Sequence, residues 1–199
     1  DIWDYDVPSQ PTFYDFEKDG KVIKALAQTT KMGFVFLLNR ETGEPIFPIE
    51  EREVPQGAVE GDYVTKTQPF PSKPAPLTPT YLDPEEVFGF TPWDKGYCKK
   101  AAEDLRNEGL YTPPSLEGSV HYPSAIGGAN WGGPAVDASR NILIANTMNL
   151  SSTIVMVPRK DCDKALKELA RDSVQSRFSA LQQNEGTPYC TIRAYGFMS

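Results

Sequence analysis

Ala27-Gln-Thr-Thr-Lys-Met-Gly-Phe-Val-Phe-Leu-Leu-Asn-Arg-Glu-Thr-Gly43 alternates short β-prone apolar runs with tight-turn residues. Val22 to Thr29 and Phe34 to Asn39 read as strands, with Lys31-Met-Gly33 turning the chain between them. Arg40-Glu-Thr-Gly43 reads as a second turn leading into a third strand over Glu44 to Phe47. Strands joined by turns this short cannot be parallel, because a parallel pair needs a crossover of a dozen residues or more. Pro134 to Thr147 is a weaker copy of the same pattern, with Asp137 to Asn141 as its turn. Two copies point to an all-β repeat architecture of antiparallel sheet. Lys31 stands where the first strand ends, a place where a cation is ordinarily a solvated edge charge.

Composition narrows the function classes. The chain has 199 residues, of which 39% are hydrophobic and 11% aromatic, enough for a packed core. A net charge of −7 with no basic patch among aromatics argues against a nucleic-acid surface, which needs clustered Lys and Arg. The longest apolar runs, Gly33 to Leu38 and Ile142 to Ala145, fall far short of the ~20 residues that cross a bilayer as a helix. No basic and apolar leader opens the chain, which reads as a piece of a longer protein. Cys98, Cys162 and Cys190 show no Cys-x-x-Cys metal spacing. They read as buried or free thiols, with one disulfide open among the three pairings in an oxidising compartment.

Between Arg52 and Pro84 prolines are frequent, which removes backbone donors and predicts an ordered loop rather than central strands. Asp83-Pro-Glu-Glu-Val-Phe88 carries helix-start signals, and Trp93 to Asn107 reads as helix until Gly109 stops it. Asp161 to about Gln183 has apolar residues at Ala165, Leu166, Leu169, Ala170 and Val174, the spacing of an amphipathic surface helix.

Two segments carry chemistry. Asp1-Ile-Trp-Asp-Tyr-Asp-Val-Pro-Ser-Gln-Pro11 packs carboxylates and aromatics between stiffening prolines. Asp4 and Asp6 lie two apart, so in an extended segment they share one face and outline a hard-cation site. Trp3 is placed to shield Asp4 from water, and that desolvation would raise its pKa while a bound divalent cation would lower it. Gly127-Gly-Ala-Asn-Trp-Gly-Gly133 allows close backbone approach around one amide and one indole, or is simply a glycine-rich turn with a buried Trp. His121, the only histidine, has no Ser or Cys partner at a recognisable elbow and is read as structural. A glycosidase pair of Asp4 and Asp6 is awkward, since that chemistry needs two opposed carboxylates.

With these segments, Thr67-Gln-Pro-Phe-Pro71, Gly109-Leu-Tyr-Thr-Pro-Pro-Ser115 and the run from Gly127 to Asp137, the chain resembles the pyrroloquinoline-quinone-dependent dehydrogenases. The likeness is to the membrane-bound glucose dehydrogenase type and its quinate- and polyol-oxidising relatives. It runs from Asp1 to about Pro158, with an echo at Gly186-Thr-Pro-Tyr189. It implies part of an eight-bladed quinoprotein β-propeller with W-shaped, four-stranded antiparallel blades and with helical and proline-rich insertions. On that frame residues 1–51 are a blade region, 52–118 an insertion, 119–158 the next blade region, and 159–199 a helical or irregular tail.

The resemblance also implies roles. Asp4 corresponds to the catalytic base and Lys31 to the catalytic, cofactor-binding cation that meets the quinone oxygens. Asn130 corresponds to a contact with the cofactor's polar edge, and Trp131 to support for the pocket floor. Asp4 and Asp6 would ligate a metal, with calcium favoured over a lanthanide or magnesium and the remaining ligands from elsewhere in a longer parent. That parent would be a periplasmic enzyme, held to the inner membrane only through parts outside this chain, that oxidises a sugar, polyol or cyclic hydroxy acid and passes electrons to ubiquinone. The isolated chain is expected to be inactive. The rival reading is a cofactor-free propeller scaffold or binding module, since fold alone does not fix function.

Overall fold

A computed structural model describes residues 2–171 and 179–198 of the chain. Strands β1 (Thr12–Lys18), β2 (Lys21–Thr29) and β3 (Val35–Asn39) form an up-and-down antiparallel sheet in that order. The β1–β2 turn is Asp19-Gly20, with φ of 52° and 73°. Positive φ at both central residues gives the twist that a two-residue hairpin needs. After β3, Gly43 N donates to Asn39 O at 2.7 Å and closes the predicted turn. The predicted third strand at Glu44 to Phe47 shrinks to a single bridge, Leu38 with Pro45. Pro45 and Pro48 have no N–H to extend a ladder there.

The proline-rich stretch stays outside any central sheet. It contributes β5 (Thr67–Pro71), which pairs only with β4 (Ile49–Glu53), so Pro69 and Pro71 sit in a two-stranded edge ribbon. Asp83 to Phe88 forms turns in place of the expected helix start. Helix α1 (Pro92–Glu103) starts one residue earlier than predicted, capped by Thr91, whose Oγ1 accepts from Asp94 N at 3.2 Å. It stops short of Asn107 because the Arg106 backbone bonds a strand instead: Arg106 N donates to Gly118 O and Val120 N to Arg106 O.

The largest sheet is antiparallel with four strands: β10 (Ser179–Gln182), β11 (Tyr189–Met198), β9 (Leu150–Pro158) and β6 (Ser119–His121), neighbours in that order. Its strands are not consecutive, because the hairpin of β7 (Pro134–Asp137) and β8 (Ile142–Ala145) stands between β6 and β9. Among the described residues, a consecutive meander of the blade type is seen only in β1–β2–β3. The expected helical or irregular tail instead supplies two strands. Helix α2 (Cys162–Arg171) is shorter than the 161–183 expectation, and Val174 with the rest of 172–178 lies outside the described residues. Ser179 to Gln182 leaves the helical pattern because each residue finds a backbone partner on β11.

Cys162 and Cys190 form a disulfide and Cys98 is free, which settles the pairing that the spacing left open. It joins the start of α2 to β11 across a sequence separation of 28. Closing a loop of that size is worth about 3–4 kcal/mol in the chain-entropy picture. Among the described residues no helix is long and apolar enough to cross a membrane.

Candidate functional site

The N-terminal segment is pinned by its aromatics. Trp3 and Tyr5 are buried in a core with Phe34, Val54, Val64, Leu110 and Tyr111. Trp3 meets Tyr111 edge-on at 5.2 Å and its Nε1 donates to Thr112 O at 3.1 Å. The Tyr5 hydroxyl donates to Pro123 O, and burial raises its pKa far above the usual phenol range. With the residues on either side anchored inward, Asp4 is turned out.

Asp4 departs from the extended segment that the sequence suggested. Its φ is 62°, in the left-handed region that Asp tolerates better than most residues. The expected shield is also absent, since Trp3 packs into the core and the Asp4 side chain is 60% exposed. The two carboxylates still converge. Lys31 Nζ lies 2.7 Å from Asp6 Oδ1, 3.1 Å from the Asp4 carbonyl and 3.5 Å from Asp4 Oδ1. The Lys31 hydrogen bond, above all, holds the Asp6 carboxyl below the usual carboxylate range. Because both carboxylates are largely exposed, the pairs are worth little as stability and matter as geometry.

The Lys31 stem is held from behind by the glycine-rich run. Gly128 N donates to Lys31 O at 2.7 Å, and a Cβ on Gly127 would stand 2.6 Å from Lys31 Cγ. On the other side Gly33, at φ 79°, turns β2 into β3 and packs on buried Thr78. The Gly127-Gly128 segment therefore serves to fix the lysine, a role that its sequence did not disclose. Asn130 spends its amide on its own loop, with Nδ2 donating to Ile126 O and Oδ1 accepting from Trp131 N. Trp131 is 83% exposed and forms no pocket floor with the described residues, because the turn ending at Gly133 carries it outward. Asp4, Asp6 and Lys31 are brought together; Asn130 and Trp131 do not join them.

A buried-stem ammonium beside an accessible carboxylate suits a bound quinone, which needs positive charge at its oxygens and a neighbouring base for the alcohol. For a metal the set is incomplete. Among the described residues no three His, Cys, Asp or Glu side chains gather, and Lys31 lies between the two carboxylates that would bind a cation. Calcium takes about six to eight oxygens.

Behind Tyr5, His121 is fully buried on β6. Desolvation first and the Arg193 charge second push its pKa down to about 3, against a small opposing pull from the Thr112 carbonyl. An unfolded histidine binds a proton near pH 6.5, so between that pH and about 3 the unfolded state holds the extra proton. Stability is complete above that window and falls as pH drops through it. In denaturant titrations from pH 6 to 4, His121→Gln should flatten the loss by up to about 1.4 kcal/mol per pH unit. Equal slopes in the two proteins would show that His121 is already protonated in the native state.

The family model for the glucose/ethanol/alcohol dehydrogenase beta-propeller domain that uses PQQ matches residues 1–198. The quinoprotein glucose dehydrogenase of Gluconobacter oxydans is 39% identical over 191 residues, covering 95% of this chain and 23% of its own. A probable quinate dehydrogenase (quinone) of Xanthomonas campestris pv. juglandis is 33% identical over 190 residues, covering 95% and 24%. The glycerol dehydrogenase large subunit of Gluconobacter thailandicus is 37% identical over 166 residues, covering 82% and 22%. The chain thus spans less than a quarter of the length of these curated relatives. No solved structure gives a significant match.

Proposed function

The chain belongs to the PQQ-dependent glucose/ethanol/alcohol dehydrogenase family, and from that premise we propose that the whole protein is a quinoprotein dehydrogenase. Its substrate is a sugar, polyol or cyclic hydroxy acid, the range spanned by relatives named for glucose, glycerol and quinate. The observation that carries the reading is the convergence of Asp4 and Asp6 on Lys31.

When bound, pyrroloquinoline quinone supplies the two-electron acceptor that no side chain can provide. The chain's own contribution is positioning. Asp4, turned to the surface by its buried neighbours, takes the hydroxyl proton of the alcohol. Lys31, whose stem packs closely against Gly127, would hold its ammonium toward the quinone oxygens. Asn130 and Trp131 would reach the cofactor only by leaving their present contacts. Were calcium bound, Asp4 and Asp6 would each offer it an oxygen in place of Lys31, with its other ligands supplied from outside residues 1–199, and none of these roles depends on that ion.

The wider setting belongs to the same proposal: an eight-bladed propeller of which residues 1–199 are a part, a periplasmic location, and ubiquinone as electron acceptor. The membrane is met through other parts of the protein. The test is reconstitution of the full-length protein with pyrroloquinoline quinone and calcium, followed by dye reduction with glucose, glycerol and quinate. Cofactor-dependent reduction with at least one of them supports the reading; cofactor binding without any turnover favours the scaffold. Residues 1–199 alone should be inactive in the same assay.

A further inference from the structure

A cavity of about 580 Å³ opens beside Asp4, between the loop around Gly61 and the face of the four-stranded sheet. Its sheet wall is set by register. Thr191 pairs with Met156 and Arg193 with Ile154, so these four side chains project from one face of β9 and β11 into the cavity. Three of the four are apolar or neutral. The fourth is a guanidinium whose Nε and Nη1 are buried without a hydrogen-bond partner among the described residues. Arg193 also belongs to none of the ion pairs formed among those residues.

Arg193 as a residue is only half-buried, but two desolvated N–H donors left without acceptors are costly, and a ligand that engages this side chain would offset that cost. The other titratable groups around the cavity leave Arg193 unneutralised. His121, on β6 beyond β9, is held neutral by burial. Asp4 is engaged by Lys31. Glu60 and Asp62, also on the cavity lining, are exposed on their loop and make no pair with Arg193. Three carboxylates around the cavity would repel a polyanion, whereas a ligand with a single carboxylate can approach the Arg193 side chain on the cavity lining, the buried donors turning to meet it, and leave its hydroxyl end near Asp4.

We propose that Arg193 is a specificity-determining residue that binds the carboxylate of a monocarboxylic hydroxy-acid substrate in the cavity beside Asp4. This rests on the dehydrogenase reading and narrows its substrate class. A second source of the same chemistry is a carboxylate of the quinone cofactor, which the test separates.

In the full-length protein, Arg193→Gln should raise the KM for quinate by about 10–100-fold, the size of a charge-assisted pair. Its kcat should hold, and the KM values for glucose and glycerol should change less than about threefold, as rim effects do. Arg193→Lys should recover part of the quinate affinity, because it keeps the charge and loses only the fork. Thermal melts check that each variant folds. An unchanged quinate KM overturns the proposal, as does a parallel rise for glucose and glycerol. Weakened pyrroloquinoline quinone binding in a cofactor titration would also overturn it, by giving Arg193 to the cofactor. Should the wild type not oxidise quinate, titration calorimetry with quinate decides separately: binding lost in Arg193→Gln supports the site, and binding absent or unaltered overturns it.

Discussion

Lys31→Ala in the full-length protein should lower turnover by about 10²–10³-fold, the usual cost of deleting one preorganised donor to developing charge. The affinity for substrate should change far less. The argument lies in how Lys31 is built. Its side chain is only 9% exposed, yet its ammonium reaches the surface between two exposed carboxylates. A contact of this kind strengthens as electrons arrive on a quinone oxygen, so its loss appears in the transition state more than in the ground state. Lys31→Arg keeps the charge with a different donor geometry and should retain partial activity. Gly127→Ala is the companion test. A Cβ there, at φ 88°, would press on Lys31 Cγ, Cα and Cβ and should reproduce part of the loss with no change of charge. Steady-state dye reduction beside a cofactor titration reads both variants. Turnover left intact in Lys31→Ala would leave the family resemblance at this position without a chemical role and make the scaffold the better account.

Local chemistry was readable and long-range placement was not. The β2–β3 unit and the β7–β8 hairpin announce themselves through apolar runs broken by Gly and Asn, which is information held within a few residues. The same signal stood at Asp19-Gly20. There it is masked, because the flanking strand β1 is half-exposed on alternate residues and reads as polar. Strands β10 and β11 were hidden for another reason. Their pairing depends on β9, on the far side of α2, and on the tether between Cys162 and Cys190, none of which leaves a local pattern. The site divides the same way. Asp4, Asp6 and Lys31 belong to motifs that can be matched by eye, whereas the glycines behind Lys31 act across about a hundred residues of sequence. Arg193 had no motif at all. Its interest comes only from the strand register that turns it toward the cavity with Asp4. The extended conformation expected at Asp4 failed because burial of Trp3 and Tyr5 outweighed the modest cost of a left-handed Asp.

Asp4→Asn should slow the chemical step by about 10²–10⁴-fold, the range for loss of a positioned general base. The substitution keeps size and shape, and the backbone carbonyl that accepts from Lys31 Nζ at 3.1 Å stays in place. Lys31 also retains Asp6 at 2.7 Å, its shortest ion-pair contact, so cofactor binding should be largely preserved. Asp6→Asn is the informative control. It removes that contact but leaves the proposed base, so its effect should be the smaller of the two and should resemble a weakened Lys31. A pH profile of kcat/KM separates them further: the limb that rises as the base ionises should vanish in Asp4→Asn and persist in Asp6→Asn. If Asp6→Asn proves the slower variant and loses that limb instead, the base is Asp6. The left-handed turn at Asp4 would then serve to aim its neighbour two residues on.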